Sequence, residues 1–213
     1  MMFCFYYLKF ISIQVCASLK DPTKRIHEIE ISLFTAFKPM LAGNEPLDVI
    51  EKEMNFEPFF IELKYDGERM LAHRDPQENF RFYSRNCNDF TSDFGEHPRT
   101  GKFCHFINQA LAPDVKSVIL DGEVCPFDKN LGTFVNKSKQ MNIRQLKMDD
   151  PNFQQCLFVF DVVYYNGQVL TNRPLTERLE LLKKIVPKEI PGNWRHFLLF
   201  PLCFVRYYCT FLL

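Results

Sequence analysis

Residues 59–84 read FFIELKYDGERMLAHRDPQENFRFYS, and three short apolar runs inside this stretch decide the fold class. Phe59 to Leu63, Glu68 to His73 and Phe80 to Ser84 carry the aromatic, aliphatic and alternating character of strands. Asp66-Gly67 separates the first pair and Asp75-Pro76 the second, and both are turn dipeptides. Neither gap is long enough to hold the helix of a parallel crossover. The stretch therefore predicts an antiparallel meander.

The flanking sequence extends the pattern. Pro46, with Asn44 or Glu45 before it, opens a short helix to Met54 that places Leu47, Ile50 and Met54 on one face. Ser117 to Cys125 and Gln155 to Tyr165 are further β-rich runs, the second closed by the turn pair Asn166-Gly167. Thr176 is placed to cap a helix ending near Pro187, on which Leu179, Leu182, Ile185 and Val186 share a face. The expected class is α+β, with mostly antiparallel sheets and flanking helices. No internal repeat or low-complexity linker divides the middle, which is expected to be one unit.

Composition narrows the function classes. At 213 residues the chain suits one large domain or a piece of a bigger protein, able to bury roughly 70% of its unfolded surface. Hydrophobic content of 46% and charged content of 24% exclude a disordered, collagen-like or coiled-coil chain. Lys+Arg 26 balances Asp+Glu 26, so no chain-wide basic field exists and any DNA contact must come from local patches. The eight cysteines contain no C-x-x-C pair and the five histidines no H-x3-H pair, which argues against zinc. Cys87, Cys104, Cys125 and Cys156 are expected as buried thiols of a reducing compartment.

The two ends differ from the middle. The start, MMFCFYYLKFISIQVCA, is apolar and aromatic but lacks a basic leader and carries Lys9 inside its run. The end, NWRHFLLFPLCFVRYYCTFLL, is interrupted by Pro201 and Arg206, and an arginine at mid-span costs about 2.5–3.5 kcal/mol on insertion scales. Neither is expected to span a membrane. The shift in composition fits misread gene boundaries or an alternative transcript better than an anchor. The expected organisation is an atypical apolar segment 1–14, a central unit 15–192 and an atypical apolar segment 193–213.

The chemistry concentrates in Glu62-Leu63-Lys64-Tyr65-Asp66-Gly67-Glu68-Arg69. A lysine at the end of an apolar strand is partly desolvated, which favours the neutral amine that a nucleophile needs. The Asp66-Gly67 turn would hold it at a pocket rim, with Arg69 set to grip a phosphate. A surface hairpin with solvated Lys64 and Arg69 fits the octapeptide equally well.

The order of motifs separates the two. Lys-x-Asp-Gly-x-Arg at 64–69 is followed by Ser84-Arg85 on a strand, by Asp121-Gly122-Glu123 after an apolar strand, and by Phe160-Asp161 inside another. With this series the chain resembles the ATP-dependent DNA ligases, a family of covalent nucleotidyltransferases. Three stretches look like the DNA ligase IV branch: Ser32 to Ala42 (SLFTAFKPMLA), Tyr83-Ser84-Arg85-Asn86, and Ile119-Leu120-Asp121-Gly122-Glu123. The resemblance covers about Val15 to Gly192.

It implies an incomplete nucleotidyltransferase (ATP-grasp-like) adenylation domain and assigns roles by position. Lys64 would take AMP from ATP as a lysyl-AMP. Glu62, Leu63 and Tyr65 would line the nucleotide pocket, with Arg69 and Lys137 contacting ATP. Glu123 would be an acidic Mg²⁺ ligand, and Phe160 the aromatic that stacks on adenine, although Leu157-Phe158-Val159-Phe160 by itself reads as core. Arg85 would touch a nucleotide or DNA phosphate. The implied substrate is nicked or broken double-stranded DNA in the nucleus. The implied partner of the full-length family is a coiled-coil scaffold protein of end joining, whose binding region is not expected here, and no membrane partner is implied.

The family's second metal-binding Glu-Gly strand and its Lys-x-Lys strand are not found. Lys183, Lys184 and Lys188 lie in or just past the last helix and cannot replace cations presented on a strand. The chain is therefore expected to hold about two thirds of an adenylation domain, with weak or no ligation. A non-catalytic nucleotide-binding fragment and an RNA-capping guanylyltransferase are the alternatives, the second disfavoured by Phe37-Lys38-Pro39-Met40-Leu41-Ala42. His73-Arg74-Asp75 and Asp93-Phe94-Gly95 imitate kinase loops by coincidence: the position five past Asp75 is Phe80 where asparagine is needed, and there is no Gly-rich loop. Gly95 to Lys102 likewise misses the P-loop spacing.

Overall fold

The computed structural model describes residues 31–41, 43, 46–55, 64–135, 141–187 and 198–199. The expected strand 59–63, the segment 1–14, and 193–213 apart from residues 198–199 lie outside these residues. In chain order the described elements are α1 (Leu47–Glu53), β1 (Glu68–Arg74), β2 (Phe80–Ser84), α2 (Thr91–Phe94), α3 (Phe103–Ala110), β3 (Val118–Asp128), β4 (Thr133–Phe134), β5 (Phe153–Tyr165), β6 (Gln168–Val169), α4 (Leu175–Ile185) and β7 (Leu198–Leu199). The sheet order is β2-β1-β3-β5-β6, with β4 on β3 and β7 on β5. Every pairing is antiparallel except β5 with β7. The class is mostly antiparallel α+β as expected, but among the described residues the meander expected of residues 59–84 is found only as the β1–β2 pair, because β3, a strand distant in sequence, takes the other edge of β1.

Alternation on the strands divides the sheet into two buried faces. Met70, Ala72, Phe80, Phe82, Leu120, Val124 and Leu157 turn to one side, where Phe103, Cys104 and Ile107 of α3 and Leu182 and Ile185 of α4 cover them. Leu71, Tyr83, Ile119 and Val163 turn to the other, under Ile31 and Phe37 of the segment ahead of α1. Residues Met70 to Arg74 of β1 are all buried for this reason, since neither face of the strand meets water.

The termini of the elements correct several expectations. Pro174, not Thr176, stands at the N-cap of the last helix, which begins at Leu175. Ser84 ends β2 and its hydroxyl accepts from the Asn86 and Asn88 amides. Arg85 is thereby set in an exposed turn rather than on the strand. Asp121, Gly122 and Glu123 lie in the middle of β3 rather than after it. Cys104, Cys125 and Cys156 are buried thiols, while Cys87 is half-buried. Among the described residues no helix is long and apolar enough to cross a membrane.

His73 is the polar group most deeply enclosed by the second face. It has no solvent exposure, meets Tyr83 edge-on at 5.0 Å and accepts the Phe34 amide on Nδ1 at 3.1 Å. Accepting there places the ring proton on Nε2, which finds no hydrogen-bond partner among the described residues. Burial holds the imidazole down at about pKa 3, whereas an unfolded histidine titrates near 6.5. The unfolded chain thus binds the extra proton between these values. The stabilisation is whole above about pH 6.5 and is lost as pH falls toward 3, at about 1.4 kcal/mol per unit. We expect the difference in urea-unfolding free energy between wild type and His73→Gln to shrink by about 1.4 kcal/mol from pH 7.5 to pH 5.5. A difference independent of pH would show that the ring is not held neutral.

Candidate functional site

The side chains singled out by the motifs come from β1, β3 and β5, and irregularities in the β3–β5 ladder decide where they go. Gly122 pairs with Val159 and Ile119 with Tyr164, so β5 carries two more residues than β3 over this interval. A regular strand starting from Val159 would turn Asp161 and Val163 to the helix-bearing side. Instead Val162 joins that core, while Val163 and Tyr164 both pack on the opposite one. The bulged stretch sends the neighbours Phe160 and Asp161 to different partners. Arg69 of β1 stands 5.1 Å from the centre of the Phe160 ring, and Arg178 of α4 grips the Asp161 carboxylate at 2.7 and 2.9 Å. Bulges re-aim side chains in this way and recur beside active sites.

Arg69 is a clamp. Its Nε donates to Asp121 Oδ1 at 2.9 Å, Nη2 to Oδ2 at 2.6 Å and Nη1 to the Met40 carbonyl at 3.0 Å. One guanidinium therefore joins β1, β3 and the 31–41 segment. The Asp121 side chain is 3% exposed. Burial pushes its carboxyl up, and the Arg69 hydrogen bonds and charge pull it back, with the Asp161 charge adding to the rise.

Glu123 stands opposite Arg69 on one side and Phe158 on the other. Its Oε1 accepts the Gly67 amide at 3.2 Å, which pins the Asp66-Gly67 bend to β3. A Cβ on Gly67 would fall 2.2 Å from the Val124 carbonyl oxygen and 2.7 Å from Cys125 Sγ. Only glycine lets the bend lie this close. The Cys125 thiol under it is pushed up to about 12 by burial and then by Glu123, so it is no nucleophile. Tyr65 lies flat on Phe158, ring centres 3.6 Å apart at 17°, and Phe134 meets Phe158 edge-on at 4.9 Å.

The motif residues Arg69, Glu123, Tyr65 and Phe160 thus gather on neighbouring strands and the bend that leads into β1. Lys64 begins the described part of that bend and is exposed rather than partly desolvated as its flanking sequence suggests. Glu62, Leu63 and Lys137 lie outside the described residues. Sequence reasoning missed the Arg69–Asp121 clamp, the Tyr65–Phe158 stack and the Asp161–Arg178 pair. Asp121 and Asp161 were legible as motif letters, but nothing in the letters named their arginines. Among the described residues no three His, Cys, Asp or Glu side chains cluster as a ready-made metal cage.

Removing one partner from a buried ion pair leaves a stranded charge, which typically costs about 3–5 kcal/mol. Arg69→Ala should lose about that much stability in urea unfolding at pH 7.5. Without the guanidinium the Asp121 carboxyl rises further, and a carboxyl raised by folding adds stability that is lost as pH increases through its folded value. The deficit of Arg69→Ala relative to wild type should accordingly be smaller at pH 5 than at pH 7.5. An equal deficit at both would argue that Asp121 stays ionised without its partner.

Comparison with known proteins shows the family. The family described as ATP dependent DNA ligase domain matches residues 39–197. DNA ligase 4 of Homo sapiens is 39% identical over 180 residues, spanning 84% of this chain and 19% of that protein. DNA ligase 4 of Candida glabrata is 36% identical over 183 residues, spanning 81% and 19%. The chain thus spans about a fifth of the length of these curated relatives. The ligase domain of M. tuberculosis LigD superposes with a TM-score of 0.41 at 22% identity, over 58% of this chain and 35% of that one. By the extent of the family match, this chain belongs to the ATP-dependent DNA ligase domain family.

Proposed function

We propose that this chain is the nucleotide-capturing portion of an ATP-dependent DNA ligase of the end-joining type, working in the nucleus. Lys64 Nζ is the nucleophile. It forms a bond to the α-phosphorus of ATP as the bond from that phosphorus to the bridging oxygen breaks. Pyrophosphate carries away the electron pair, and the nitrogen of this exposed lysine gives up a proton to solvent. The AMP is left on Lys64, dividing one difficult transfer into two easier ones. Transfer of that AMP to the end of nicked or broken double-stranded DNA, and docking on a coiled-coil end-joining scaffold, belong to the longer type of protein that the relatives represent.

The other residues bind and orient. Glu62, Leu63 and Tyr65 flank the nucleophile and line the nucleotide pocket, Lys137 meets ATP, and Phe160 offers a face to adenine. Arg69 contacts the nucleotide from its place beside that ring. Glu123 would hold Mg²⁺. A single carboxylate fits that ion, which commonly takes one or two protein carboxylates and leaves its remaining positions to phosphate oxygens and water. When bound, the ion offsets the charge that builds on the phosphates during displacement.

The observation that supports this function most directly is the Gly67–Glu123 hydrogen bond. It ties the bend that follows Lys64 to the carboxylate assigned to the metal, on the same strand triplet as Arg69 and Phe160. The test is incubation of the pure chain with α-labelled ATP and Mg²⁺. The expected result is label on the protein that survives SDS and is released by acidic hydroxylamine. Label should vanish in Lys64→Ala, vanish with EDTA, and fall strongly in Glu123→Ala. Equal labelling of wild type and Lys64→Ala, or none of the wild type, overturns the proposal, and preferential labelling by GTP would turn it toward a guanylyltransferase.

A further inference from the structure

Arg178 lies in the first half of α4, on none of the motifs, yet it makes one of the best-formed polar contacts in the molecule. Its Nε and Nη2 take both oxygens of Asp161 at 2.7 and 2.9 Å, and its Nη1 donates to the Arg173 carbonyl at 2.6 Å, which fixes the guanidinium from behind. Both side chains are largely enclosed, at 13% and 16% exposure. Asp161 also turns Oδ1 onto the Val162 amide at 2.8 Å. The carboxylate is therefore held by α4 and by the next backbone amide, in the middle of the irregular stretch in which β5 carries its extra residues.

The neighbour on that stretch is Phe160. A bulge is a soft point, because its extra residue has lost its ladder partner and the strand can relax in more than one way. The Phe160 ring faces Arg69 only while the backbone at Asp161 keeps its present course. We infer that Arg178 is a positioning residue: through its forked grip on Asp161 it fixes the bulge and so aims Phe160 at the base of a bound nucleotide. The inference rests on the nucleotide site proposed above and adds to it a residue that touches neither base nor phosphate. A bidentate fork is the suitable device, since it fixes the angle as well as the distance of the carboxylate.

The effect should be confined to the base. We would measure equilibrium binding of ATP and of tripolyphosphate, which has no base, to the full chain as wild type, Phe160→Ala, Arg178→Gln, Arg178→Lys and the Phe160→Ala/Arg178→Gln double variant. Base stacking on an aromatic ring is worth about 1–3 kcal/mol, so roughly tenfold weaker ATP binding is expected of Phe160→Ala and of Arg178→Gln. Tripolyphosphate binding should be unchanged in both, and Arg178→Gln should cost nothing further once Phe160 is gone. Arg178→Lys keeps the charge but not the fork and should also weaken ATP alone, and it carries the test if Arg178→Gln does not fold. Equal losses for ATP and tripolyphosphate, or additive losses in the double variant, would make Arg178 a purely structural residue and overturn the inference. Failure of the wild type to bind either probe would overturn the nucleotide site itself, an outcome visible before any variant is compared.

Discussion

In an antiparallel ladder, one extra residue on one strand reverses the face of every side chain beyond it, and the pairing of β3 with β5 contains two such residues close together. The first reversal lets Val162 rejoin the helix-covered core after Phe160 has gone to Arg69. The second restores the original order by Tyr165, which packs against the helix-covered core. Between the two, β5 serves both cores and the candidate site at once. A strand of strict alternation could not present Phe160 to Arg69, Asp161 to Arg178 and Val162 to the core in succession.

Much of the fold was legible because local chemistry and tertiary structure agree on it. The starts of β1 and β2 follow the alternation in residues 68–84, and the Asn166-Gly167 turn closes β5, with both residues at positive φ. The helix starts were displaced by a residue or so because prolines, not the nearby Thr176, occupy the caps. The α3 helix has no capping side chain to announce it, although Phe103, Cys104, Ile107 and Ala110 do lie on one helical stripe. The site was legible as letters in order but not as contacts. Period-two reasoning gives Phe158 and Phe160 equal standing, and only the register with Glu123 and the stack under Tyr65 set Phe158 apart. Arg69–Asp121 and Arg178–Asp161 join residues far apart in sequence, and no propensity carries that information.

The bend after Lys64 illustrates how a short motif draws its shape from a distant strand. Asp-Gly would form a turn in many contexts. Here its position is set by an absence of side-chain volume on Gly67 and by one carboxylate, Glu123, that accepts its amide. A larger residue at 67 would have to displace a β3 carbonyl, which itself belongs to the central ladder. The spacing from Lys64 to Gly67 and the spacing from Gly122 to Glu123 are thus parts of one constraint, written in two places in the chain.

That constraint also bears on how Arg69 can meet a nucleotide. Three of its nitrogens are engaged, two of them on a carboxylate that is almost wholly buried. Leaving Asp121 to grip a phosphate would strand that carboxylate at a cost of about 3–5 kcal/mol, whereas a new hydrogen bond to a charged group returns about 1.5–3 kcal/mol. The exchange is unfavourable. A contact from Arg69 is consistent with these magnitudes only if it is made with Asp121 still held, from the guanidinium lying over Phe160. The arginine would then act beside the aromatic platform, as part of the wall that orients the base, and the charge on the phosphates would fall to Lys64, Lys137 and the ion assigned to Glu123.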